Sequence, residues 1–233
     1  MPGLWHPRAF AALIRVKTRP ARAGYRSPVR CGIRREEVRL KAIGIIRDEH
    51  RALAAVLHGL LYLVREVRDH GAAPNFPVLS AMIYYIDAFP ERFHHPKEDR
   101  YLFPLVRARS PAVAGTLDRL EAEHQVGAAK MRTLMQALTR YREGGAAEAA
   151  VFVAAVEDYV AFERDHMGRE EREILPAAQR HLTAGDWEAV DAAFSGSTDP
   201  LLGAGPEVHW AQVFSRIANL APPPIGVGPT QAA

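Results

Sequence analysis

Four histidines and two glutamates stand at spacings that could do chemistry. His94 is followed by Glu98 and His166 by Glu170, each four residues on. On a helix that interval stacks an imidazole and a carboxylate on one face. The flanking residues match too. Glu91-Arg92-Phe93-His94 leads to Leu102-Phe103-Pro104, and Glu163-Arg164-Asp165-His166 leads to Ile174-Leu175-Pro176, with 72 residues between corresponding positions. Upstream, His50 precedes His94 by 44 residues and His124 precedes His166 by 42. Each of these follows a glutamate, Glu49 and Glu123. The chain thus reads His, His-x3-Glu, His, His-x3-Glu, which is an internal duplication of a helix pair.

A single histidine is more often a core or surface residue than a ligand. The set is different, because all four histidines fall on inward seams at matching depths and two bring a glutamate one turn away. Burying four imidazoles and two carboxylates without a cation costs several kcal/mol per unpaired charge. One zinc needs only three or four donors. Six donors, with carboxylates able to bridge, suit a dinuclear iron or manganese centre inside a four-helix bundle. The imidazole content favours iron over manganese.

Other residues compete for roles. His95 could pair with Asp99 at the same interval, but the second copy has Met167 at that position, so His94 and Glu98 are preferred. Glu91 and Glu163 each lie three residues before a ligand histidine. They either orient an imidazole as outer partners or are ordinary surface glutamates. His6, His58, His70, His181 and His209 match no repeat. Tyr62, Tyr84 and Tyr85 could approach the site.

The elements that must position these groups are helices. Ile43, Ile46, His50, Leu53, Leu57, Leu60, Val64 and Val67 alternate in steps of three and four, the period of an amphipathic helix. A second helical stretch spans about residues 77–107. Pro90, Pro96 and Pro104 lie inside it and predict kinks or a break. Ser110-Pro111 predicts a helix start with serine as its cap. The third seam runs Leu117, Leu120, His124, Gly127, Met131, Leu134, Leu138, Tyr141 and closes at Gly144-Gly145. The fourth runs Phe152, Val156, Tyr159, Glu163, His166, Glu170, Ile174. Thr183 to Asp186 predicts a capping box that opens a short helix. Another short segment carries Trp210, Phe214 and Ile217, and the Pro/Gly-rich end from Pro222 is expected to be loose. The organisation expected is a leader over 1–37, a bundle over 38–182, short helices packing on it over 183–221, and a tail over 222–233.

Composition narrows the class. Of 233 residues, 48% are hydrophobic and 24% charged, as in an ordinary globular core. The pI near 9.2 belongs to the leader, since residues 1–35 hold nine Lys or Arg and no acid. The remainder is acidic, which argues against specific nucleic-acid binding by the body. A leader of this kind is expected to be disordered, although it shares features with transit peptides and basic arms. The longest apolar run, from Leu53 to Val64, is too short to span a bilayer. The one cysteine, Cys31, excludes a disulfide framework and multi-cysteine zinc sites. A cytoplasmic setting fits.

Over about residues 38–180 the pattern resembles the haemerythrin-like, or HHE cation-binding, family, down to the Leu-Phe-Pro104 and Ile-Leu-Pro176 ends of the motif. The resemblance implies an all-α, up-down-up-down four-helix bundle with a non-haem di-iron site. It makes His50, His94, His124 and His166 terminal ligands and Glu98 and Glu170 bridges. The sequence departs from the oxygen-carrying haemerythrins at Ala128, where they have a second histidine one turn after the first, and in ending its last motif His-x3-Glu instead of His-x4-Asp. Fewer nitrogens and more open positions favour reaction over carriage. The expected activity is binding or reduction of O2, peroxide or NO, in oxidative or nitrosative stress. The rivals are a sensing or binding module without turnover, and iron–sulfur cluster repair or iron delivery. A homodimer is left open.

Overall fold

The computed structural model describes residues 41–195 and, beyond them, Ile217, Asn219, Ala221, Pro223 and Ile225. The basic leader lies outside the described residues, as do Trp210 and Phe214. Among the described residues the chain is all-helical, without strands. The first arm is α1 (Lys41–His70). The second is built from α2 (Phe76–Ala88), the three-residue α3 (His95–Lys97) and α4 (Phe103–Arg109), joined by π-helical turns. The third and fourth arms are α5 (Ala114–Gly144) and α6 (Ala149–Arg169), the latter continued by α7 (Leu175–His181). The four arms pack up-down-up-down, each beside the next, with α6 closing on α1. The short α8 (Ala184–Ser195) packs on α1. No helix among the described residues is long and apolar enough to cross a membrane.

The periodic seams become the core. Every named seam residue of the third and fourth arms is buried, and in the first arm only Val67 is left partly exposed. The arms end where the backbone needs a residue tolerant of positive φ. Gly71 follows α1 at φ +65°, and Gly145 follows α5 at φ +68°.

The prolines do not break the second arm. Its helix widens around them. π-helical turns span Pro90–His94 and Glu98–Leu102, and a third, Glu170–Ile174, joins α6 to α7. The cause is visible in the register. Phe103 N–H donates to the Glu98 carbonyl and Leu175 N–H to that of Glu170, five residues back in each case. Pro104 and Pro176 follow directly. Neither can donate, and the wider turn relieves the clash of each ring with the preceding turn. A glutamate followed six residues later by proline thus sets the same bulge in both halves.

At Ser110 the expected cap is different in detail. Its hydroxyl makes no capping bond, and a short 3₁₀ turn, Pro111–Val113, precedes α5. The Thr183–Asp186 box forms as expected. Thr183 N–H donates to Asp186 Oδ2 at 2.8 Å, and Asp186 N–H donates to Thr183 Oγ1 at 3.2 Å.

The core is layered. One apolar cluster gathers Leu53–Val64 positions of α1 with Val78, Met82, Met131, Leu134, Phe152 and Val156. A second gathers Ile43, Ile46, Phe103, Leu117, Leu120 and Ile174 with Trp187 and Phe194 of α8. Between them every arm contributes polar residues at one level, so the site is a buried polar layer with apolar layers on both sides. Ile225 departs from the expectation of a loose end. It is fully buried, and a Cβ on Gly59 of α1 would meet its Cγ2 at 2.9 Å.

Candidate metal centre

The structure brings all six expected side chains into that layer. His50, His94, His124, His166, Glu98 and Glu170 are each 7% exposed or less. His50 and His94 meet through their Nε2 atoms at 3.1 Å, and His124 and His166 through theirs at 3.2 Å. Glu98 lies between the pairs. Its Oε1 is 3.0 Å from His94 Nε2, and its Oε2 is 3.6 Å from His124 Nε2. Glu170 Oε2 is 3.3 Å from His50 Nε2.

Each imidazole is held from behind by a carboxylate. Nδ1–H of His94 donates to Glu49 at 2.6 Å, and that of His50 to Glu171 at 3.0 Å. Nδ1–H of His124 donates to Asp99 at 2.7 Å, and that of His166 to Glu123 at 3.2 Å. A carboxylate accepts only, so Nδ1 carries the proton and Nε2 presents its lone pair inward. Two lone pairs facing at 3.1 Å repel each other unless a cation lies between them. Two nitrogens bound to one ion at about 2.1 Å stand roughly 3.0–3.4 Å apart, for angles from square to tetrahedral. Both oxygens of Glu98 and both of Glu170 are buried without a hydrogen-bond partner. Such orphans are costly unless something positive completes them. The donor set therefore fits a pair of metal ions.

The electrostatics agree. Burial pushes the His50 imidazolium down, yet Glu170 and Glu171 outweigh it and hold its pKa up at about 9. His94 is likewise raised, by Glu98 and Glu49 against burial. Glu98 is pushed up by burial and by Glu170 facing it. This is a pocket of negative potential that favours added positive charge, whether proton or metal.

The carboxylates that orient the histidines are Glu49, Asp99, Glu123 and Glu171. Glu91 and Glu163 lie beside the same layer with buried side chains, and Glu91 Oε2 lies 3.8 Å from His95 Nδ1. Tyr159 donates its hydroxyl to Glu91 Oε1 at 2.8 Å. Glu163 is fully buried, with neither oxygen hydrogen-bonded. Burial, then the Glu163 carboxylate, lift Glu91 to about 7 against the Tyr159 bond. Tyr159 is therefore a tyrosine in direct contact with these groups. Tyr85 packs on Phe89 in the apolar layer, and Tyr84 is exposed.

Gly127, on the third seam one turn after His124, is packed at the site: a Cβ there would lie 3.1 Å from Glu91 Oε1. Ala128 is half-buried. And His95, set aside in favour of His94, is itself 4% exposed and joins His124 and His166 in a second potential metal-ligating group. The first group is His50, His94, Glu98 and Glu170. The available signal was Glu91 one turn before His95, inside a proline-widened stretch that lets consecutive residues face inward.

Residues 41–178 match the hemerythrin HHE cation binding domain. The chain belongs to that family: a four-helix bundle whose buried His/Glu clusters are consistent with a di-metal site. No curated protein and no solved structure gives a significant match to the chain.

Proposed function

We propose that this chain is a non-haem di-iron protein that binds or reduces O2, peroxide or NO, with a role in oxidative or nitrosative stress. The observation that carries the di-metal reading is Glu98, fully buried, with one unpartnered oxygen turned toward each histidine pair. His50 and His94 would hold one ion, His124 and His166 the other, and Glu98 and Glu170 would be shared between them. Iron is favoured over manganese because the set is rich in imidazole. A reduced iron pair supplies two electrons, which matches the two-electron reduction of peroxide.

The protein's own residues prepare that chemistry. Glu49, Glu171, Asp99 and Glu123 lock the imidazole tautomers. The apolar layers on either side limit water around the polar one. At position 128 a methyl group cannot coordinate, so α5 supplies no second ligand one turn after His124. Open positions bind and activate small molecules, and filled ones resist them.

Stopped-flow spectra of the anaerobically reduced, iron-loaded protein test this reading. Rapid oxidation in air and consumption of added peroxide are expected. Reversible oxygenation, with spectra that return on degassing and no peroxide consumption, would make the protein a carrier instead.

A further inference from the structure

We propose that Tyr159 is a redox-active residue, which gives one electron to the oxidised metal pair while its phenolic proton passes to Glu91. This inference rests on the di-metal reading above.

Three buried groups outside the ligand set define the place. Tyr159, in α6, is 1% exposed. Its hydroxyl donates to Glu91 Oε1 at 2.8 Å. The Glu91 side chain is 6% exposed and comes from the first π-helical turn of the second arm. Glu163, one turn after Tyr159, is fully buried with neither oxygen hydrogen-bonded. His166 follows Glu163 by three residues, so Tyr159 lies about 10 Å along the helix from a ligand of the metal layer. An electron crosses such a span of packed protein without a carrier in between.

Packing alone does not ask for these groups. Tyr159 sits in the apolar cluster with Met131, Val156 and Val160. A phenylalanine there, with an apolar residue at 91, would fill the space and bury no carboxylate. Instead the second arm brings in Glu91, and α5 makes room for it: a Cβ on Gly127 would stand 3.1 Å from Glu91 Oε1. Three arms thus serve one contact between a hydroxyl and a carboxylate.

That contact is what oxidation of a phenol requires. A neutral phenol keeps its proton, but a phenol that has lost an electron releases it at once, so an acceptor must already be in place. Glu91 Oε1 is within hydrogen-bond distance. Burial, then Glu163 and Glu91, hold the Tyr159 phenol well above its usual range, so it does not lose the proton alone. Burial and the Glu163 carboxylate strengthen the hold of Glu91 on a proton, which favours the transfer once the electron leaves.

The step balances with peroxide as the oxidant. Reduction of one peroxide to two waters takes two electrons and two protons. One electron comes from a metal pair that holds a single reducing electron. The other comes from Tyr159: its O–H bond breaks, the proton goes to Glu91 Oε1 and the electron to the metal pair. The two protons that complete the waters come from solvent. A neutral phenoxyl radical is left beside protonated Glu91 until an external one-electron donor restores the phenol.

The test uses iron-loaded protein, reduced anaerobically by one electron per iron pair, mixed with peroxide and frozen for electron paramagnetic resonance. Wild type should show an organic radical whose spectrum narrows when the protein carries ring-deuterated tyrosine. Tyr159→Phe keeps the ring and should hold two irons without the signal. Glu91→Gln accepts the hydrogen bond but cannot take the proton, and its signal should fall at least tenfold. An undiminished signal there overturns Glu91 as the acceptor. Two irons and no such radical in wild type overturn the role of Tyr159 and leave the di-metal reading intact. A radical that survives in Tyr159→Phe overturns it equally. Should Tyr159→Phe fail to hold iron, a protein with the other six of the seven tyrosines changed to phenylalanine decides: the signal persists if Tyr159 carries it, and its loss overturns the proposal. A wild type that takes up no iron overturns both readings.

Discussion

Glu49 Oε2 accepts a hydrogen bond from Nδ1 of His94, on the next helical arm, at 2.6 Å, although Glu49's own chain neighbour is His50. The same exchange recurs throughout the site. Glu123, beside His124, holds His166; Asp99, beside Glu98, holds His124; Glu171, beside Glu170, holds His50. Each arm carries an inward group and, next to it in sequence, the carboxylate that orients an imidazole of another arm. No imidazole is therefore positioned by its own helix alone.

Removing one brace should loosen the centre without unfolding the bundle. Glu49→Ala frees the His94 ring and should weaken metal binding about 10–100-fold, the usual loss for such an outer partner. Chelator competition measures it. Unchanged affinity would mean that packing, not Glu49, fixes the His94 ring.

Glu98→Ala should have a different signature. Because Glu98 faces both histidine pairs, its loss should remove both ions together, not one. Metal analysis of the purified variant decides. Two ions retained would show that Glu98 is not shared.

The seams of α1, α5 and α6 were legible because helical periodicity and burial are the same fact seen twice: Leu117, Leu120, His124 and Met131 had to face inward together. The duplicated His-x3-Glu intervals likewise gave the polar layer. What was not legible arose from tertiary partnership. Glu49 and Glu123 look like surface acids beside a histidine, and only the neighbouring helix shows what they hold. The prolines of the second arm signalled disruption, but periodicity could not tell a break from a widened turn. The burial of His95 was hidden by that same turn, since Met167 stands at its place in the other half, on a regular helix, and only the first half widens just before it.

Away from the site, Asp186 joins three elements. It closes the capping box with Thr183 and accepts from Arg109 Nε at 2.9 Å. The Arg109 and Thr183 hydrogen bonds hold its carboxyl well below the usual carboxylate range. A depressed folded pKa contributes stability above the unfolded value, near 3.9, and that contribution is lost as pH falls toward the folded one. Asp186→Ala should cost about 1 kcal/mol at neutral pH and flatten the acid side of the stability profile below about pH 4. Metal content should not change. Thermal melts across pH check this, and an unaltered acid limb would remove Asp186 from the account.

Stripping the metal should destabilise the fold. Glu98 and Glu170 then remain buried and unpartnered, and a ligand that binds only the folded state stabilises it by mass action. Dialysis against a chelator should lower Tm, and adding iron back should restore it. Equal Tm values with and without metal would mean that the polar layer is satisfied without ions.

The most direct measurement of the central claim is the number of metal ions per chain, taken on protein purified from iron-replete cells and quantified against amino-acid analysis. With His50 and His94 facing one position, His124 and His166 the other, and Glu98 between them, the value should be close to two, and the metal should be iron. A value near one, or zinc in place of iron, would contradict the dinuclear centre.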